Sequence, residues 1–320
     1  MKRIAIVGGE THIGEVTQLS GTELEIVGAL VRNDQKAHAT ETFKCPLFDD
    51  ESTLFTEARP AIVAVANEND RKAGIILRSL DEGCDLVVDK PLGITMEEHV
   101  EIVKKLNSNP DRRLLMLLTL RGQPLWSGLR STVQAGSIGT PAHCHVRMAV
   151  RLKRAERPPW FLDVRQAGGL FLDLLIHGID QVEWTLNSRI TSLTAVTGNL
   201  SDPSDEHLRD HAAVFCELES GASAVIEGQR MLPDTKGSDY RMHVAGTEGY
   251  VDLDMVEKSL KLTNPSGVET NVTDLPDATS VVADWLAGGD LVGQEASIRA
   301  NYLSVLATES AVQHTRIEIN

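Results

Sequence analysis

Short apolar runs separated by amphipathic stretches organise the first part of this chain. Runs at Arg3–Val7, Glu25–Val31, Ala61–Ala66, Asp85–Val88 and Leu114–Thr119, with a short piece near Pro46–Phe48, are almost continuously apolar. That is the pattern of strands covered on both faces. Between them, apolar positions spaced for one helical face predict helices at about His12–Leu19, Asp50–Glu57, Asp70–Glu82 and Met96–Asn107. Gly83 reads as the stop of the third of these. Strands alternating with helices give an α/β fold class, here a doubly wound parallel sheet of the nucleotide-binding kind. Its ligand is expected at the carboxyl ends of the strands.

From about Gly122 the period changes. Helices are expected over about Leu125–Ala135 and Gly169–Leu186, with a strand beginning near Ala142. Alternating segments follow at Ser192–Thr197, His211–Glu219, Ser223–Gln229, Arg241–Ala245, Tyr250–Leu253 and Leu260–Thr263. Turn residues such as Asn264-Pro265-Ser266-Gly267 separate them. This predicts a mainly antiparallel sheet, mixed at one edge and covered by helices on one face. A last helix is expected at about Glu295–Gln313. The division read from these patterns is 1–121 for the nucleotide-binding domain and 122–320 for a second α/β domain.

A chain of 320 residues is long enough for two such domains. Its formal charge of −15 argues against nucleic acid or an anionic membrane as partner, since both need a concentrated basic surface. The cluster Arg147, Arg151, Lys153, Arg154 and Arg157 is a local exception, readable as a solvated strand edge or as the rim of an anion site. No run approaches the ~20 apolar residues of a membrane helix. The N-terminus leads straight into a strand, so a cytoplasmic location is expected. Cys45, Cys84, Cys144 and Cys216 are separated singletons, expected to be reduced thiols, and no His, Cys or Asp cluster beyond Asp173 and His177 has metal-ligand spacing.

Three places carry candidate chemistry. After the first strand comes Gly8-Gly9-Glu10-Thr11-His12-Ile13-Gly14, a dinucleotide-type glycine loop in which Thr11 replaces the middle glycine. Such a loop lets backbone amides approach a pyrophosphate. At the end of the second strand, Val31 stands where a ribose-binding acid is expected, followed by Arg32 and Asn33. An arginine there suits a 2′-phosphate, which favours NADP over NAD, with Asp34 as the rival ribose acid. The third place is Gly168-Gly169 with Asp173 and His177, a carboxylate and an imidazole four residues apart in an apolar run. On an α-helix they share a face, as a proton-transfer pair or as two satisfied core groups.

Together with Asp89-Lys90-Pro91 after the fifth strand, and Val244-Ala245-Gly246-Thr247-Glu248-Gly249 near the end, these features resemble the Gfo/Idh/MocA oxidoreductases over essentially the whole chain. The resemblance implies a Rossmann domain joined to a larger α/β domain whose open sheet forms homodimers or homotetramers. It also implies hydride transfer between NADP or NAD and a carbon bearing a hydroxyl on a sugar, polyol or related small molecule. By motif position Lys90, Asp173 and His177 would be the catalytic group. His177 would take the hydroxyl proton, Lys90 would bind the same oxygen, and Asp173 would orient substrate or lysine.

Asn67-Glu68-Asn69-Asp70-Arg71-Lys72 stands where relatives show Thr-Pro-Asn-x-x-His, so only Asn69 is kept. The cofactor-side candidates are therefore Gly8, Gly9, Thr11, His12, Ile13, Gly14, Arg32, Asn33, Asn67, Asn69 and Lys90. Substrate-side candidates are Arg121, Trp126, Trp160, Arg165 and Asp180. The tryptophans could stack on a sugar ring or simply pack, and Asp180 could be structural. A regulatory protein without turnover, and a transient-oxidation glycosidase or lyase, stay open as alternatives.

Overall fold

The computed structural model describes residues 1–9 and 11–319, without the side chain of Thr11. The chain divides into two compact units, residues 1–119 with 279–302, and 120–278 with 303–320.

In the first unit six strands form one sheet: β1 (Lys2–Val7), β2 (Leu24–Leu30), β3 (Leu47–Phe48), β4 (Ile62–Val65), β5 (Asp85–Val88) and β6 (Leu114–Met116). Their order is β3-β2-β1-β4-β5-β6 and every pairing is parallel. β4 and the centre of β1 are wholly buried, which is why their sequences are unbroken apolar runs. The helix Met96–Asn107 begins where expected because Thr95 and Glu98 form a reciprocal capping box. Helix Asn69–Asp81 stops before Gly83, whose φ of 74° is left-handed.

Three local differences from the pattern have clear causes. The expected His12–Leu19 helix is a 3-10 turn, Thr11–Ile13, and a single α turn, Gly14–Thr17. The Leu19 carbonyl then accepts the amides of Thr22, Glu23 and Leu24, which turns the chain into β2. A helix at Lys36–Phe43 escaped the periodicity because it buries only Ala39 and Phe43. Residues 279–302, which the sequence division gives to the second domain, lie in the first unit. Side chains tie them there: the Ser297 hydroxyl accepts Met116 N at 2.9 Å, Asn301 Oδ1 accepts Leu92 N at 2.9 Å, and the Arg113 guanidinium covers Trp285 at 4.3 Å.

The second unit holds a nine-stranded sheet: β7 (Pro141–Ala149), β8 (Ile190–Gly198), β9 (His211–Leu218), β10 (Ser223–Gln229), β11 (Asp239–Gly246), β12 (Gly249–Asp254), β13 (Ser259–Thr263), β14 (Glu269–Asn271) and β15 (Ile317–Glu318). The order is β14-β13-β12-β11-β7-β10-β9-β8-β15. Among the described residues the one parallel pairing in this sheet, β7 with β10, lies in the middle and not at an edge. After β7 the chain crosses to β8, and the β8-β9-β10 meander walks back to meet β7 in the same direction.

Burial alternates along these strands. Cys144, Val146 and Met148 are buried while His143, His145 and Arg147 are half-exposed. The buried face is covered by helix Ile176–Leu186, which packs on β7 and β10. Gly178 permits this close approach, since a Cβ there would lie 2.7 Å from the Ile226 side chain. No helix among the described residues is long and apolar enough to cross a membrane.

Candidate active site

In the first unit a cleft of about 570 Å³ opens at the carboxyl ends of β1, β2 and β4. Gly8, Val31, Arg32, Asn67, Glu68 and Arg71 are among its lining residues. Gly8 has φ 86°, and a Cβ on it would lie 2.2 Å from the Ala66 carbonyl oxygen, so only glycine lets the two strand ends meet. Gly9 and Gly14 are not forced by packing, because a Cβ on Gly9 meets the Gln35 side chain at an ordinary 3.7 Å and one on Gly14 meets nothing. Asn67 is buried in the cleft wall, with Oδ1 lacking a hydrogen-bond partner. A buried acceptor left this way is costly unless a ligand donor completes it. The glycine floor, the waiting acceptor and the cleft's size fit a dinucleotide.

The remaining cofactor candidates are distributed unevenly. Arg32 follows β2, its Nε 3.2 Å from Asp34 Oδ1 and its Nη1 3.3 Å from Glu68 Oε1. Asn33 is exposed beside it, and Asn69 is buried at the first turn of its helix. Ile13 is half-buried and Gly14 exposed. The side chain of Thr11 lies outside what is described. The His12 imidazole is engaged by the protein itself, with Nδ1 2.7 Å from Asp89 Oδ1.

Lys90 follows β5 by two residues and is only 6% exposed, with Asp89 buried before it. The Lys90–Pro91 peptide is cis. Burial pushes the Asp89 carboxyl up, but Lys72, His12 and Lys90 reverse this and hold it well below the usual carboxylate range. Lys72 escaped the sequence reading. It is wholly buried, and its ammonium donates to the carbonyls of Asp89 and Lys90. The available signal was a lysine on the stripe that also carries Ile76 and Ser79.

In the second unit Asp173 lies in a π-turn, Phe171–Leu175, and His177 in the α-helix Ile176–Leu186 that follows. The turn widens where Asp173 sits, a distortion that recurs at functional sites. Both side chains are largely shielded from solvent. Asp173 is ion-paired with the buried Arg230, which sequence reasoning missed because nothing marks an arginine just past β10. Burial pulls the Arg230 guanidinium down from its usual range, and Asp173 offsets part of that. The Arg230 guanidinium also lies 4.5 Å over the Phe161 ring, on which Arg157 stacks at 4.1 Å. Tyr240 completes the group; burial, then the Asp173 charge, pushes its hydroxyl up to about 12, so it stays a donor at neutral pH.

Trp160 joins this cluster, edge-on to Phe161 at 5.8 Å. The other substrate candidates do not. Trp126 is 0% exposed in helix Pro124–Gln134, so it packs the core and cannot stack on a sugar. Trp126→Ala is accordingly expected to cost about 3–5 kcal/mol of stability, read by denaturant unfolding, and to leave substrate KM unchanged. Arg121 and Asp180 are buried and satisfy each other through two bonds, Nε–Oδ2 at 3.0 Å and Nη2–Oδ1 at 2.6 Å. They form an internal fork, not a substrate grip. Arg165 is 64% exposed and binds Asp163, holding that carboxyl down at about 2. Among the described residues no group of three or more His, Cys, Asp or Glu side chains could hold a metal ion.

Residues 2–116 match the oxidoreductase family with an NAD-binding Rossmann fold, and residues 126–252 match the GFO/IDH/MocA C-terminal domain. The chain belongs to the GFO/IDH/MocA oxidoreductase family. It is 25% identical over 238 residues to scyllo-inositol 2-dehydrogenase (NAD(+)) of Bacillus subtilis, covering 74% of this chain and 67% of that protein. Inositol 2-dehydrogenase 3 of Saccharopolyspora erythraea is 25% identical over 294 residues, 88% of this chain and 79% of that one. An oxidoreductase domain protein from Kribbella flavida superposes with a TM-score of 0.85 at 17% identity, over 100% of both chains. This GFO/IDH/MocA protein is thus an oxidoreductase with a nicotinamide-dinucleotide fold and a mixed, mostly antiparallel second sheet.

Proposed function

We propose that this oxidoreductase moves a hydride between a nicotinamide dinucleotide and a hydroxyl-bearing carbon of a sugar or polyol, an inositol in the first instance. Similarity to inositol 2-dehydrogenases over most of the chain supports the substrate class. The observation that carries the chemistry is Lys90, buried at the end of β5, one strand over from the Asn67 acceptor.

Lys90 would donate a hydrogen bond to the substrate oxygen and stabilise the charge that builds on it. His177 would take the hydroxyl proton as general base, and return it in the reverse direction. Asp173, fixed by Arg230, would orient the substrate. Gly8, Asn67 and Arg32 would hold the dinucleotide, which supplies or takes the hydride when bound.

The finer reading is a preference for NADP, carried by Arg32. Its bond to Asp34 is weak, because Asp34 is 66% exposed, so a 2′-phosphate can replace that carboxylate at little cost. Glu68 on the other side works against a dianion. Calorimetric titration with NADP, NAD and their reduced forms tests both levels. Arg32→Ala is expected to weaken NADP about tenfold or more and to change NAD little, as removal of one charge-assisted phosphate contact should. Equal losses for both would remove the NADP preference assigned to Arg32, and no binding of any form would end the enzymatic reading.

We further propose that a second copy packs on the open face of the nine-stranded sheet, where Val196, Phe215 and Tyr250 are exposed. Sedimentation of a variant charged at Phe215 tests this. Four free thiols, three of them buried, support a reducing, cytoplasmic setting.

A further inference from the structure

Lys72 is 1% exposed, yet its charge lies on the apolar stripe of helix Asn69–Asp81. Its Nζ donates to the Asp89 carbonyl at 2.7 Å and to the Lys90 carbonyl at 2.8 Å. Carbonyls satisfy an ammonium's protons without neutralising its charge, and an uncompensated buried ammonium is strongly unfavourable. A neighbouring counter-charge is the buried carboxylate of Asp89, which His12 also meets at 2.7 Å. Lys72, His12 and Lys90 together hold the Asp89 carboxyl down against the effect of its burial. Asp89 is adjacent to Lys90 in sequence, so without other cations its carboxylate would draw the Lys90 ammonium toward itself.

We propose that Lys72 is a positioning residue for Lys90, pinning the two carbonyls at the end of β5 and compensating Asp89 so that the Lys90 ammonium stays directed to the substrate oxygen. This rests on the reading of Lys90 as the group that binds that oxygen. Helix Asn69–Asp81 contributes Lys72, the loop after β1 contributes His12, and the segment just past β5 contributes Asp89 and Lys90. One carboxylate therefore links the glycine loop to the lysine.

Lys72→Gln keeps a donor and removes the charge. The first readout needs no turnover: the Asp89 carboxyl, followed by ¹³C NMR and assigned by its loss in Asp89→Asn, is expected to titrate at higher pH in Lys72→Gln. An unmoved titration overturns the proposal. The second readout is initial rates with myo-inositol and whichever of NADP⁺ and NAD⁺ the wild type uses. Lys72→Gln is expected to lower kcat by about 10- to 100-fold, the scale of a misplaced reacting group, with affinity for that dinucleotide retained. Lys72→Gln/Asp89→Asn is expected to recover most of that loss. A double variant as slow as the single one would reduce Lys72 to a carbonyl clamp and overturn the proposal.

Lys90→Met separates the two levels. Unchanged kcat in Lys90→Met defeats the reading of Lys90 itself. A slow Lys90→Met beside a wild-type Lys72→Gln defeats only the role of Lys72. Should Lys72→Gln fail to fold, a double variant that folds supports the charge compensation, and one equally unfolded overturns it.

Discussion

Replacing His177 by Ala, or Lys90 by Met, is expected to lower kcat by about 100-fold or more, the contribution of a positioned acid–base or oxygen-binding group. Dinucleotide affinity is expected to stay within about threefold in both, which separates loss of chemistry from loss of binding. The two residues belong to different units, His177 on helix Ile176–Leu186 and Lys90 at the end of β5. Both are buried, so each substitution also leaves a cavity, and unfolding curves must accompany the rates. Activity near wild type in both variants, at matched stability, would remove these residues from the mechanism.

A large effect on stability is also expected at Asp173. Asp173→Asn leaves the Arg230 guanidinium buried without its carboxylate and is expected to cost about 3–5 kcal/mol, as breaking one side of a buried pair does. Arg230→Met is expected to cost less in packing, because Met can fill the space over Phe161, but it releases Asp173 and lowers kcat. The double variant Asp173→Asn/Arg230→Met is expected to be more stable than Asp173→Asn alone, since it buries no unpaired charge. Denaturant unfolding of the three variants checks this. A cost below about 1 kcal/mol for Asp173→Asn would show that the pair is solvated and weak.

The parallel half of the molecule was legible in the sequence because its strands are buried on both faces and punctuated by caps such as Thr95 with Glu98. Alternating burial made the second sheet equally visible strand by strand. Its order was not visible, since the central β7–β10 pairing depends on where a long crossover returns. Helix Lys36–Phe43 carries too few buried residues to announce itself.

In the candidate site, the sequence identified groups by type and position but not by partner. Arg121 and Asp180 pair with each other, and His12 pairs with Asp89. Trp126 and Trp160 look alike in sequence, yet one is core and the other half-buried beside Phe161. A spacing of four placed Asp173 and His177 on one α-helical face, but the π-turn at Phe171–Leu175 breaks that regular alignment. Arg230 and Lys72 could only be recognised once the fold had brought buried cations to Asp173 and Asp89.

The most direct test is the rate at which the purified protein forms reduced dinucleotide from NAD⁺ or NADP⁺ with a panel of inositols, sugars and linear polyols. Net reduction with at least one inositol or related polyol is expected, lost on replacing His177 or Lys90. Dinucleotide that purifies with the protein in stoichiometric amount, and is never net reduced by any polyol, would contradict it and point to a transient-oxidation reaction on the same scaffold.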